Sequence, residues 1–283
     1  MPGTISPIGV GTATLYPKQS SAGAALDPFV PPGNTNAPIM FEPPPGLTGG
    51  ANEVWILATG GPDWGGCQIW VSSDGNTYAF AGTAYRGGRQ GALTAALPHA
   101  SDPDTTDTLA VDLSESQGQL LSGTTADADN LVTLCFCDGE LIAYETATLT
   151  AAYKYDLTYL RRGAYGTPVT AHAGGAQFGR LGPNDPAVFR YEYPSSFIGQ
   201  TTYLKFPAFN IFGQQLQSLD TLSAYDLTLA GTGTDPLSNP IVASLAAGVA
   251  ADWGTVGTSL IGSADLALIA APVGVAINLG TVP

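Results

Sequence analysis

The chain has 283 residues, of which 11% are charged and 44% hydrophobic, with 36 Gly and 22 Pro. That length supports one large domain or two modest ones with a real core, and the composition excludes a disordered chain, a coiled coil and a collagen-like repeat. Nine basic against 23 acidic residues give a net charge of -14, which argues against a dedicated nucleic-acid binder because phosphates repel such a surface.

The basic residues are unevenly placed. None falls between Arg89 and Lys154, and residues 102–145 carry ten acids. Such a run reads as a solvated acidic face, with a repulsive channel lining or a cation site as the functional alternative. Three cysteines, Cys67, Cys135 and Cys137, make no disulfide framework. The N-terminal residues lack the basic and apolar regions of a signal peptide. The apolar run 266–283 is interrupted by Pro272, Gly274, Asn278 and Gly280, unlike a membrane helix. The expectation is a chain made in the cytoplasm and soluble there.

Residues 1–50 are rich in Pro and Gly, as in PFVPPG at 28–33 and EPPPG at 42–46. Proline removes backbone donors and favours extended chain, so this stretch reads as an arm draped over a body, or equally as a linker. From 51 to 185 the pattern becomes β. Residues 54–58 are a short apolar run. Residues 68–72 and 77–81 flank Asp74-Gly75-Asn76, and 131–137 and 140–144 flank Asp138-Gly139. Asp-Gly between β-rich runs marks a hairpin, because the turn needs positive φ. Tyr153, Tyr155, Leu157 and Tyr159 alternate and are predicted on one face of a strand. Residues 186–230, with Phe189, Tyr191 and Tyr193 alternating and Asn210-Ile211-Phe212-Gly213 as a turn, resemble the closing strands of a fibronectin type III module. Residues 231–283 are Gly/Ala-rich and read as irregular or weakly β, with a helical turn or two at 245–251. The predicted class is mainly β: antiparallel β-sandwich-like modules, an extended Pro-rich N-terminal arm and an irregular C-terminal segment.

No catalytic constellation emerges. Gly257-Thr258-Ser259-Leu260-Ile261-Gly262 has one residue too many between the serine and the second glycine for a nucleophile elbow. His99 and His172 sit in loop-like sequence and read as solvated. Cys135 and Cys137 face one side of a strand, but zinc needs two further ligands, so small buried hydrophobes are the better reading. Asp102-Pro103-Asp104 and Asp127-Ala128-Asp129-Asn130 begin like calcium loops, lack the later glycine and glutamate, and read as surface turns. Phosphate-binding glycine motifs are missing. Arg86, Arg89, Arg161 and Arg162 are expected to pair with carboxylates, internally rather than across a subunit contact. Trp55, Trp64 and Trp70 read as core, with a sugar-stacking platform as the alternative. No enzyme activity, metal or cofactor is predicted.

Four segments stand in a recognisable order. The first is Pro38-Ile39-Met40-Phe41-Glu42-Pro43-Pro44. The second, 62–75, carries Trp64, Gly65, Ser73, Asp74 and Gly75. The third, 139–144, carries Glu140. The fourth, 155–167, carries Tyr155, Leu157, Arg161, Arg162, Gly163, Gly166 and Thr167, and His172 and Gly175 follow. Over roughly 38–215 this resembles the tail hub proteins of gene transfer agents and long-tailed phages. The resemblance implies a structural component of a tail tip, hub or baseplate, contributing to tail assembly and host attachment in the virion. It implies a homotrimer around the tail axis, with other tail-tip and tail-tube proteins as partners and no sequence-specific nucleic-acid contact. A host surface receptor or glycan is a further implied partner, and a glycan- or receptor-binding host-recognition module is the alternative reading. A cell-envelope hydrolase is the third, although the glycosidase-like domain of some longer family members has no counterpart in this sequence. The motif positions read as a structural turn rather than an active site.

Overall fold

Val54, Trp55, Ile56 and Leu57 form a run with no polar member, the pattern of a strand covered on both faces. The computed structural model, which describes residues 27–182 and 184–231, places this run in β2 (Glu53–Leu57), where all four are buried. β2 is the middle of a three-stranded antiparallel sheet between β1 (Ile39–Phe41) and β11 (Val188–Glu192). Its alternate side chains enter two different cores. Val54 and Ile56 pack with Cys67, Ile69 and Leu204 of a second sheet. Trp55 and Leu57 pack with Leu134, Phe136 and Leu141 of a barrel.

The second sheet is built on β3 (Trp64–Ser72). β4 (Ala79–Ala84) pairs with one edge of β3, while β12 (Thr201–Lys205) and β13 (Ala208–Asn210) pair with the other; β14 (Tyr225–Thr228) lies outside β12. With the three-stranded sheet it forms a sandwich, the usual way for two half-apolar sheets to cover each other. The barrel is a closed antiparallel ring of six strands: β10 (Gln177–Arg180), β5 (Gln90–Leu93), β6 (Leu109–Asp112), β9 (Lys154–Arg161), β8 (Glu140–Ala151) and β7 (Cys135–Cys137). Closure leaves no free edge, and the interior is filled by fully buried side chains such as Leu109, Ile142, Tyr144, Leu157 and Phe178. Among the described residues, two one-turn helices, α1 (Pro45–Thr48) and α2 (Thr125–Asp129), complete the regular structure outside short 3-10 turns.

The mainly β, antiparallel architecture is the expected one. The sheets nevertheless divide the chain differently from a cut at 185/186. β11 to β14 complete sheets begun by β1 to β4, and the barrel is inserted between them. Pairing across more than a hundred residues has no local signal, so sequence spacing alone assigned these strands to a separate module. Residues 1–26 of the arm, and 232–283 with the predicted turns at 245–251 and the serine motif at 257–262, lie outside the described residues.

Both Asp-Gly turns join hairpins. At Asp138-Gly139 both residues have positive φ, 43° and 90°, in a two-residue loop between β7 and β8, as the turn chemistry requires. At Asp74-Gly75 the loop is longer and takes in Thr77 and Tyr78, which the sequence assigned to the strand. The Asp74 carboxylate organises it, accepting from the amides of Asn76 and Thr77 and from the Ser72 hydroxyl. These bonds, led by that of Thr77, hold the Asp74 carboxyl well below the usual range.

Candidate functional site

Tyr153, Tyr155, Leu157 and Tyr159 do not share one face along β9. Tyr155 and Leu157 are buried in the barrel, but Tyr159 adopts a left-handed backbone, φ 52°. That left-handed residue resets the pleat without shifting the register of β9 on β8, which runs unchanged from Leu157 to Arg161. Leu160 therefore takes the inward position and is fully buried. Arg162, two residues on, also turns inward, while Arg161 faces out beside Tyr159.

The inward arginine meets a carboxylate. Arg162 Nε and Nη2 donate to Glu140 Oε1 and Oε2 at 2.8 and 3.0 Å, a bidentate pair with both side chains about 1% exposed or less. Glu140 also accepts from the amides of Gly163 and Thr170 and lies 2.9 Å from His172 Nε2. The remaining donors of Arg162 go to the carbonyls of Pro98 and Thr170, with Asp104 at 3.5 Å. Burial alone would raise the Glu140 carboxyl, but the bonds from Arg162, His172, Thr170 and Gly163 outweigh it and hold the group below its ordinary value. The cluster ties the β7–β8 turn, the end of β9 and the 98–104 and 170–172 segments into one node at the barrel end. His172 is buried, at 2% exposure, which corrects its reading as a solvated loop residue. The reason is long range: it is bridged to Leu97 through the backbone and to Glu140 through its ring.

Arg161 forms an outer counterpart. It donates twice to Asp102, at 2.8 and 2.9 Å, and once to Asp129 at 2.7 Å, and Tyr159 donates its hydroxyl to the same Asp129 oxygen. An arginine thus joins the two acidic turns that began like calcium loops. The second of them is helical rather than an irregular turn, because Thr124 and Asp127 form a reciprocal capping box on α2. Lys154 pairs with Asp112 at 2.9 Å. Five of the ten acids in 102–145 therefore have cationic partners, and Asp104 and Glu140 are buried. The other eight acids remain at least partly exposed, as a solvated acidic face requires, but bases in and just after β9 neutralise part of it.

The other motif positions are also architectural. Trp64 is 9% exposed and donates from its ring nitrogen to Thr35, so it cannot serve as a sugar platform. Trp55 is core, and Trp70 is half-buried against Phe80. A Cβ on Gly65 would lie 2.1 Å from the Asn210 carbonyl oxygen, and one on Gly163, at φ 61°, 2.9 Å from the Thr167 carbonyl oxygen. Thr167 accepts from the Leu141 amide and donates to the Ala164 carbonyl. Ser73 is exposed in the β3–β4 loop. Gly166, at φ 78°, borders a cleft of about 490 Å³ with Phe41, Pro45, Phe136 and Tyr165. Its one carboxylate, Glu42, is engaged by Tyr193 and by the amides of Ala230 and Gly231.

All three thiols are buried, and desolvation pushes Cys67 and Cys135 up to about 12 and Cys137 higher, in line with their reading as small hydrophobes. Among the described residues no group of three or more His, Cys, Asp or Glu is placed to hold a metal ion, and no helix is long and apolar enough to cross a membrane. Asp104 read as part of a surface turn but is buried, and Arg180 escaped notice in the sequence. Asp104 is 58 positions from Arg162. Arg180 follows buried Phe178 in phase, the one local sign that it turns inward, where it donates to the carbonyls of Val132, Leu134 and Leu181 and stands over the Tyr144 ring.

The family model described as "Rcc01698-like, C-terminal" matches residues 88–179. The span starts two residues before β5 and stops one residue short of the end of β10, so it coincides with the barrel and contains both arginine clusters. It covers roughly a third of the chain. No match was found among curated proteins.

Proposed function

We propose that the chain is a structural part of a phage-type tail tip, a hub or baseplate component that acts through assembly and attachment rather than through chemistry of its own. The support for this reading is the resemblance of the motifs and the way the barrel encloses them. The motifs resembling tail hub proteins at 139–144 and 155–172 lie within the span of the family match. The observation that carries the reading is the fate of their polar residues: Glu140, Arg162 and His172 are enclosed and bonded to one another and to surrounding backbone. A motif of ionisable residues with no exposed reactive group suits a rigid building block. Scarce lysine, two residues in 48–231, suits broad protein contacts, since lysine is depleted from interface cores.

In this proposal the chain forms trimers around the tail axis and touches neighbouring tip and tube proteins. Immunogold electron microscopy of intact particles, with an antibody to this chain, tests it. Label confined to the distal tail end is the expected result, and particles without the antigen would overturn it. The glycan-binding alternative cannot rest on Trp64 and shifts to the exposed Phe80 and Tyr85.

A further inference from the structure

β4 is a sheet edge of unusual composition. It pairs with β3 on one side, and among the described residues no strand pairs with the other. Free edges present a row of unmet backbone donors and acceptors, and proteins commonly guard them with charge, proline or short length. The other sheet edges follow that rule. β11 carries Arg190 and Glu192, β14 carries Asp226, and β1 and β13 have three residues each. β4 has six residues, and the whole stretch 75–85, GNTYAFAGTAY, holds no charge and no proline. A one-residue register shift between Gly82 and Phe80 bends the strand but adds no charge. Phe80 is 54% exposed with its ring edge against Trp70, and Tyr85, just beyond the strand, is 74% exposed.

This neutral stretch has an acid at one end and a base at the other. Asp74 is exposed in the loop that enters β4, and its three hydrogen bonds all fall on Oδ1. Arg86 is exposed two residues past the end of β4. Neither has an ion-pair partner among the described residues. Phe80 stands six positions from each. An occupant of the edge therefore needs an uncharged run with a base toward Asp74 and an acid toward Arg86. Neither terminal stretch outside the described residues offers both: 1–26 has Lys18 and no acid, and 232–283 has three acids and no base. A second β4 laid antiparallel offers both, because each acidic end then meets a basic end. The rest of the surface opposes self-contact, since a net charge of -14 makes copies repel one another.

We infer that β4 pairs antiparallel with β4 of a second copy about a two-fold axis at Phe80, so that one sheet continues through both molecules. Identical patches meeting about such an axis form an isologous contact. Phe80 of each copy faces its counterpart as an aromatic cross-strand pair, and Asp74 of each stands toward Arg86 of the other. The contact does not rest on the tail-tip reading. Being two-fold, it joins copies from different trimers of the proposed assembly rather than closing one.

Hydrogen exchange of the purified full chain at low and high protein concentration tests this. Amides of 79–84 are expected to exchange at least about tenfold slower at high concentration, since the pairing of copies follows mass action. Phe80→Lys sets two like charges face to face and is expected to lose the concentration dependence with an unchanged circular dichroism spectrum. Protection that is the same at both concentrations, as when a segment of the same chain covers the edge, overturns the inference, and so does no protection at either. Phe80→Cys locates the axis. The native thiols are buried, so a disulfide formed through position 80 joins two copies. Mild oxidation is expected to link Phe80→Cys chains at least about tenfold faster than Leu149→Cys chains, whose site is 61% exposed on the barrel; equal rates overturn the two-fold pairing. Paired copies of a chain absent from tail tips would remove the tail-tip reading and leave this contact standing.

Discussion

Arg162 and Glu140 are joined by two parallel charge-assisted bonds in a site closed to water, with side-chain exposures of 0% and 1%. Removing one member leaves the other buried and unpaired. Arg162→Ala is expected to lower the unfolding free energy by about 3–5 kcal/mol, and Arg162→Lys to recover only part of it because the planar fork is lost. Urea unfolding of the three proteins measures this. Arg161→Ala removes a partly exposed arginine and is expected to cost clearly less; equal losses at the two neighbours would contradict the burial argument.

The acid side of the stability profile follows from the carboxyls. Asp112 is lowered to about 2, first by its hydrogen bonds with Ser114 and then by Lys154. Asp102 and Asp129 are lowered chiefly by Arg161. A carboxyl lowered in the folded state contributes stability that is complete above its ordinary value and is lost as pH falls through the lowered one. Urea midpoints are expected to be insensitive to these groups from pH 7 to about 5 and to fall between about 4 and 2. Asp112→Asn should flatten that fall, and an unchanged slope would show that the group does not titrate as described.

Gly65 and Gly61 differ by what surrounds them. A methyl at Gly65 meets the Asn210 backbone at 2.1 Å, whereas nothing lies within 4 Å of one at Gly61. Gly65→Ala is expected to destabilise by about 1–3 kcal/mol through displacement of β13, and Gly61→Ala to leave the melting temperature nearly unchanged. Thermal melts of the pair check this.

The thiols should be silent in the folded protein. Cys67, Cys135 and Cys137 are each 0% exposed, and only the thiolate reacts. A disulfide reagent at pH 8 is expected to release no chromophore from native protein and three equivalents after denaturation. Rapid labelling of any of them in native buffer would contradict the placement of β3 or β7.

Much of the β content was legible because it was local. Asp138-Gly139 announced its hairpin through turn chemistry, and the unbroken run 54–57 announced a strand with two covered faces. The cluster was only half legible. Glu140, Arg162 and His172 stood out by resemblance, yet nothing nearby in sequence said that Arg162 rather than Arg161 turns inward. That choice hangs on Tyr159, whose side chain favours an ordinary strand while tertiary packing holds it left-handed. His172 looked solvated because its partners lie 32 and 75 positions away.

β2 has a mechanical consequence. Its odd and even side chains are held by different cores, so the strand works as a rivet through two plates. Tension applied to the sandwich cannot be relieved by sliding that sheet, because any slip of β2 would also drag Trp55 and Leu57 out of their seats beneath the barrel. Strain entering one plate is delivered to the other along a single backbone, and the two should yield together or not at all.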